Sequence, residues 1–168
     1  MFPTHLTTML TRELRALARE IQAYPDDDAV WRTYAGIANS AGTLVLHLTG
    51  NIQHYVGAVL GGTGYRRDRA AEFARRGVSR RELAAEIDHA ITAVQQVRPR
   101  LTDKVLRADY PEAIGGRVVA TDEFLLHLAS HLSWHLGQLD YHRRMVTREA
   151  GKIGALAVSE LASARPAG

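Results

Sequence analysis

The sequence predicts an all-α fold, a four-helix bundle with one long crossover connection. Three observations predict it. Four segments carry apolar residues at spacings of three and four, the mark of one buried helix face. No series of alternating apolar and polar residues suggests a sheet. The chain has 168 residues, enough to bury one core without staples. At 46% hydrophobic and 23% charged residues it sits inside the globular range and outside the disordered one. Residues 1–150 are read as the bundle, and 151–168 as a small-residue tail packing on it or extending from it.

The first helix is expected over Thr4 to Ala23, where Leu6, Leu10, Leu14, Leu17 and Ile21 make one face. Pro25 and the acidic run Asp26-Asp27-Asp28 end it, and the carboxylates suit the start of a short helical turn through Trp31. A second helix is expected over Ala41 to Leu60, with Leu44, Leu48, Ile52, Tyr55 and Val59 as its stripe and Gly61-Gly62-Thr63-Gly64 as its stop. A loop with Tyr65-Arg66-Arg67-Asp68-Arg69 and a short turn near Phe73 follow. Ser79 and Glu82 form a capping box for the third helix, which runs through Leu83, Ile87, Ile91 and Val94 and ends before Pro99. Leu101 to Ala120 reads as an irregular connection with Pro111 and Gly115-Gly116, of the kind that crosses a bundle or holds a short hairpin. Thr121, Asp122 and Glu123 open the longest helix, to about Arg148.

Composition excludes several classes of function. The chain has no cysteine, so it has no disulfide, no thiolate metal site and no cysteine nucleophile. Basic and acidic residues number 21 and 18, and a net charge of +3 does not argue for nucleic acid. No segment approaches the roughly 18 apolar residues of a membrane helix. Met1 to Arg15 carries Arg and Glu where a signal peptide is apolar, so a cytoplasmic protein is expected. A di-iron bundle needs two Glu-x-x-His pairs, and Glu86-Ile87-Asp88-His89 stands unmatched. The Gly61–Gly64 loop lacks the Gly-Lys-Ser/Thr ending of a phosphate loop, so its glycines serve a turn.

Eight histidines are many for this length, and four of them, His127, His131, His135 and His142, lie on the last helix. At 100° per residue they span an arc of about 80°, with Gln138 inside it, at the edge of the face made by Phe124, Leu128, Leu132 and Leu139. Two imidazoles at i and i+4 reach one ion from one helix face. Two such pairs exist, His127/His131 and His131/His135, and spacing alone does not choose between them. A metal site needs a third ligand. The second helix offers His47, about 100° from the centre of its stripe, and Asn51, at about 60°, placed to orient a ligand or a bound water. His5, His54 and His89 read as ordinary surface or packing residues.

The segment Leu125-Leu126-His127-Leu128-Ala129-Ser130-His131-Leu132-Ser133-Trp134-His135-Leu136-Gly137-Gln138 resembles the signature helix of the DinB/YfiT-like superfamily. Leu44-Val45-Leu46-His47-Leu48 resembles that family's first metal-ligand helix, and the likeness spans roughly residues 5 to 148. The resemblance implies an up-down-down-up bundle and a divalent metal, zinc or nickel, on His47, His131 and His135 with water on the open positions. It implies a homodimer, and it leaves His127 as a neighbour of the ligands rather than one of them. Many relatives carry Arg after the last ligand, where this chain has Leu136.

Characterised relatives include a mycothiol-dependent maleylpyruvate isomerase and bacillithiol S-transferases. The resemblance therefore implies a thiol-dependent S-transferase or isomerase acting on a small molecule. The thiol would be an external low-molecular-weight one, since the chain has no cysteine. Arg66, Arg67 and Arg69 are candidates to hold that cofactor's carboxylates. Metal-dependent hydrolysis is the alternative, but it needs a general base, and Glu123 lies two turns before His131. A non-catalytic metal-binding or stress-related module is the third reading.

Overall fold

The computed structural model describes residues 1–153 and 156–167. Helix α1 spans Phe2–Gln22, α2 Ala41–Ile52, α3 Arg69–Ala74, α4 Arg80–Val97, α5 Asp103–Arg107 and α6 Thr121–Thr147. Among the described residues there are two isolated antiparallel bridges and no strand. Helices α1 and α2 each pack on both α4 and α6, so the four long helices close into a ring. The 98–120 connection carries the chain from α4 to the opposite corner of that ring. No described helix is long and apolar enough to cross a membrane.

The apolar stripes form the core as their spacing requires. Leu6, Leu10, Leu14, Leu17 and Ile21 of α1 are buried against Leu83, Ile87 and Val94 of α4 and Leu125, Leu128, Leu132 and Leu139 of α6. Helix α1 begins two residues before the expected start, because Pro3 fits a first turn whose N–H groups have no partner anyway. Asp26 Oδ1 accepts from Ala29 N at 2.7 Å, which starts the short turn Ala29–Trp31. The indole of Trp31 donates to the Val78 carbonyl at 2.9 Å and lies over Gly42, where a Cβ would come within 2.6 Å of the ring. The Ser79–Glu82 capping box is present at the start of α4.

Two stretches differ from the expected regular helix and irregular loop. The second helix does reach Leu60, but Gln53–Leu60 is π-helical, with the Gly61 N–H bonding back to the Val56 carbonyl at 3.1 Å. The wider π turn shifts every later side chain relative to a 100° wheel. Tyr55 and Val59 still pack on the core, half-buried. The crossover contains the short helix α5, which was not expected, and it holds a short hairpin, as the sequence allowed. Tyr110 N donates to the Val119 carbonyl at 2.8 Å, and Gly115 and Gly116, with φ of 56° and 77°, make its turn. The Tyr110 hydroxyl then donates to the Tyr55 carbonyl at 2.7 Å, tying the crossover to the π segment.

One buried ion pair joins α1, α6 and the tail. Arg143 is wholly buried, and its Nε donates to Glu20 at 2.5 Å. Its Nη2 donates to Asp140 at 3.0 Å and to the Gly151 carbonyl at 2.8 Å. A cavity of about 400 Å³ beside it is lined by Ser133, Leu136 and Asp140 of α6 and by Lys152, Ile153 and Leu156 of the tail. Removing one partner of a buried pair costs far more than replacing both. Arg143→Ala is therefore expected to lower the unfolding free energy by about 3–5 kcal/mol in urea. Glu20→Gln combined with Arg143→Met should recover most of that loss. A loss within experimental error for Arg143→Ala would contradict this account.

Candidate metal centre

Helix α2 presents His47, and α6 presents His131 and His135 one turn apart. The three residues bring one ligand nitrogen each to within 4.8 Å of one another. His47 Nε2 and His131 Nε2 are 3.4 Å apart. Two nitrogens bound to one tetrahedral zinc at 2.0–2.1 Å would stand about 3.3 Å apart, so this pair already has the separation a shared ion needs. The rings meet edge to face, with centroids 5.2 Å apart for His47 and His131 and 4.6 Å for His131 and His135. His47 is buried, and the two histidines of α6 are half-buried.

The outer nitrogens of two of these rings have acceptors. His47 Nδ1 donates to Glu72 Oε2 at 3.0 Å. His135 Nδ1 donates to Gln138 Oε1 at 2.7 Å. A proton on Nδ1 leaves the lone pair on Nε2, the nitrogen that would meet an ion, so these bonds set the ligating tautomer. Burial, reinforced by His135 and His47, pushes His131 down to about 4. Burial also lowers His135, so both rings of α6 are neutral, as ligands must be, near pH 7.

Glu72 is itself held on both oxygens. Arg67 Nε donates to Oε1 at 2.6 Å and its Nη2 to Oε2 at 2.9 Å. Burial alone would raise the Glu72 carboxyl, but the hydrogen bonds from His47 and Arg67 outweigh it and bring it below the ordinary value. The carboxylate rests against α2 where Gly50 has no side chain: a Cβ there would lie 2.3 Å from Glu72 Oε1. The glycine loop makes this approach possible. Gly62 and Gly64 have φ of 68° and 76°, so the chain doubles back and lays α3 along α2. Asp68 caps α3 by accepting from Ala71 N at 2.9 Å. Phe73, next to Glu72, packs on the His47 ring at 5.0 Å between centroids.

The other expected residues fall in distinct places. Asn51, one turn beyond His47, is buried, and its Oδ1 has no partner in the protein. Buried acceptors are nearly always satisfied, so this one fits a hydrogen from a bound water. Gln138 is the acceptor on His135 described above. His127 is exposed, and its ring stacks between Phe124 and His131 at 6.0 and 6.2 Å, beside the cluster rather than in it. His142, expected on the same arc, is buried elsewhere: Tyr24 O–H donates to its Nδ1 at 2.7 Å, and its Nε2 donates to the Arg32 carbonyl at 2.9 Å. His54 pairs with Glu112 at 3.0 Å on the surface.

Arg67 does not stand free for a cofactor's carboxylate, as the sequence suggested, because Glu72 engages it. Arg69 lies over the Phe73 ring at 5.2 Å. Glu72 and Gly50 were not apparent as site residues. A ligating histidine calls for an acceptor on its far nitrogen, but nothing in the spacing points to Glu72 rather than Asp68. Glu86 accepts from Gln53 at 3.1 Å, away from any second Glu-x-x-His pair.

The donor set fits a divalent ion that favours nitrogen ligands. It comprises three imidazoles, two of them with fixed tautomers, and among the described residues no carboxylate joins the cluster.

A family model described as a protein of unknown function (DUF1572) matches residues 5–159. No curated protein matches the sequence significantly. Among solved structures, a DinB-like protein from Bacillus cereus ATCC 10987 superposes with a TM-score of 0.64 at 20% identity, over 82% of this chain and 87% of that one. A likeness at that identity speaks to the fold. The chain belongs to the DUF1572 family and has the DinB-like helical fold.

Proposed function

We propose that this protein binds a divalent metal, zinc or nickel, through His47, His131 and His135, and serves as a thiol-dependent S-transferase or isomerase on a small molecule. The observation that carries the metal reading is the convergence of three imidazoles, two of which have their outer N–H engaged by Glu72 and Gln138. An ion held by three imidazoles with an open position stabilises the anionic form of a thiol that reaches it. The chain owns no cysteine, so the thiol arrives from outside.

The residues divide the work. Glu72 and Gln138 orient His47 and His135 and keep their Nε2 lone pairs exposed to the cluster. Arg67 and Gly50 hold Glu72 in place. The rings of α6 are only half-buried, so the cluster is within reach of solvent. Hydrolysis is less well supported, because Glu72 lies on the far nitrogen of His47 and both of its oxygens are engaged by Arg67. It is therefore not placed as a base on the open side.

Protein purified without an affinity tag and reconstituted with zinc or nickel should hold one ion per chain by elemental analysis. His131→Ala should abolish that binding, while His5→Ala and His89→Ala should leave it intact. Metal content that stays near zero after reconstitution would overturn the proposal.

Glu72→Gln and Gly50→Ala should each weaken metal affinity about 10- to 100-fold in a chelator competition, with helicity unchanged. The first removes the anionic acceptor; the second drives the carboxylate off α2. Unaltered affinity in both would show that Glu72 does not position His47.

Metal-loaded protein offered low-molecular-weight thiols and an electrophilic acceptor should show conjugation or isomerisation that His131→Ala abolishes. Binding of metal without turnover on any thiol would favour a non-catalytic module.

A further inference from the structure

Away from the metal centre, a cavity of about 360 Å³ lies between α1, the end of α4 and the tail. That is within the size range of small-molecule sites. Its wall on α1 includes Thr8, Thr11, Arg12 and Arg15, whose spacing puts them on one helix face. At 100° per residue they span an arc of about 100°, centred about 150° from the middle of the Leu6 to Ile21 stripe. A face turned that far from the core is ordinarily solvated. Here Thr11 is buried. Arg98, just past α4, and Glu160 of the tail line the same cavity, and no residue of the metal centre does.

The polar groups around this cavity find little to bind within the chain. Among the described residues, Arg15 and Arg98 have no acidic partner and Glu160 has no basic one. Arg12 Nη2 stands 3.5 Å from Glu13 Oε1, a long ion pair, and Arg12 Nε is buried without an acceptor. Buried donors are nearly always satisfied. The hydroxyls of Thr8 and Thr11 have no hydrogen-bond partner among the described residues. Three guanidinium groups against one carboxylate leave the walls with a formal excess of two positive charges.

We infer that this cavity binds the phosphate group of a small phosphorylated molecule. A phosphate monoester carries nearly two negative charges and three acceptor oxygens on one tetrahedral centre. Guanidinium forks and free hydroxyls are donors suited to it, and its charge matches the excess on the walls. A single carboxylate offers half that charge on a planar group. Glu160 opposes the ligand, because like charges in one cavity repel, so the tail holds the affinity down. This inference is independent of the metal.

Isothermal titration calorimetry of the full chain with phenyl phosphate tests it. Binding should saturate at one site per chain and weaken as salt is raised. Arg15→Gln and Arg98→Gln should each weaken it about tenfold with helicity unchanged, since both side chains are exposed. Glu160→Gln should strengthen it about threefold. His131→Ala should bind phenyl phosphate as the wild type does. Succinate, a dianion whose charges sit on two separate carboxylates, should bind about tenfold more weakly. The absence of saturable binding, or wild-type affinity in both arginine variants, would overturn the inference. So would loss of binding in His131→Ala, which would put the anion at the metal centre. Equal affinity for succinate would overturn the assignment to phosphate. Glu160→Gln binding no better than the wild type would overturn the role given to the tail.

Discussion

The site depends on one contact, the hydrogen bond from His47 Nδ1 to the carboxylate of Glu72. His47 is the one cluster histidine supplied by α2; the other two come together from a single turn of α6. Its ring must therefore be aimed across the bundle by something outside its own helix. Glu72 does this at 3.0 Å, and Arg67 fixes Glu72 through both oxygens. Burying that carboxylate beside an apolar ring would be unfavourable alone. Two charge-assisted donors and the imidazole N–H offset the desolvation. Much of the local backbone serves this contact. Gly50 leaves the space, the left-handed Gly62 and Gly64 turn the chain, and the Asp68 cap starts the short helix that carries Glu72.

The two halves of the centre are built differently, and this matters for its chemistry. On α6, position follows from helix geometry, and Gln138, three residues past His135, lies in reach as a neutral acceptor. On α2, the acceptor is charged and comes from a different element. An anionic partner fixes the orientation and tautomer of His47, while burial keeps His131 and His135 neutral. The result is three nitrogen donors, one of them backed by a carboxylate that Arg67 holds in place, suited to a divalent cation. Beyond it, the wholly buried Arg143 with Glu20 and Asp140 locks the far part of α6 to α1. The frame that holds two of the ligands is thus tied at a point well along the helix.

What the sequence made legible was the local part. The stripe of α1, the capping box of α4 and the i, i+4 histidines of α6 all rest on contacts within one or two turns, which residue spacing encodes directly. The place of His47 beside them needed the family resemblance, because no spacing rule links positions 84 residues apart. The π-helical stretch was not legible, since the same residues suit an α-helix and only the tertiary setting selects the wider turn. Glu72 was missed for a related reason: it reaches His47 through a glycine loop whose path has no periodicity. Arg67 looked like a free cation because its partner was not yet in view. His142 shared the histidine arc yet serves packing, because its ring lies between Tyr24 and the Arg32 carbonyl rather than toward α2.

The central claim is that three imidazoles of one chain bind one ion together. Metal-edge X-ray absorption on zinc-loaded, tag-free protein tests it most directly, because it counts imidazole neighbours whatever the activity. The account predicts three imidazole nitrogens at about 2.0–2.1 Å, with a non-imidazole neighbour such as a water oxygen in the remaining position. A shell with one imidazole or none, filled by oxygen neighbours, would contradict it.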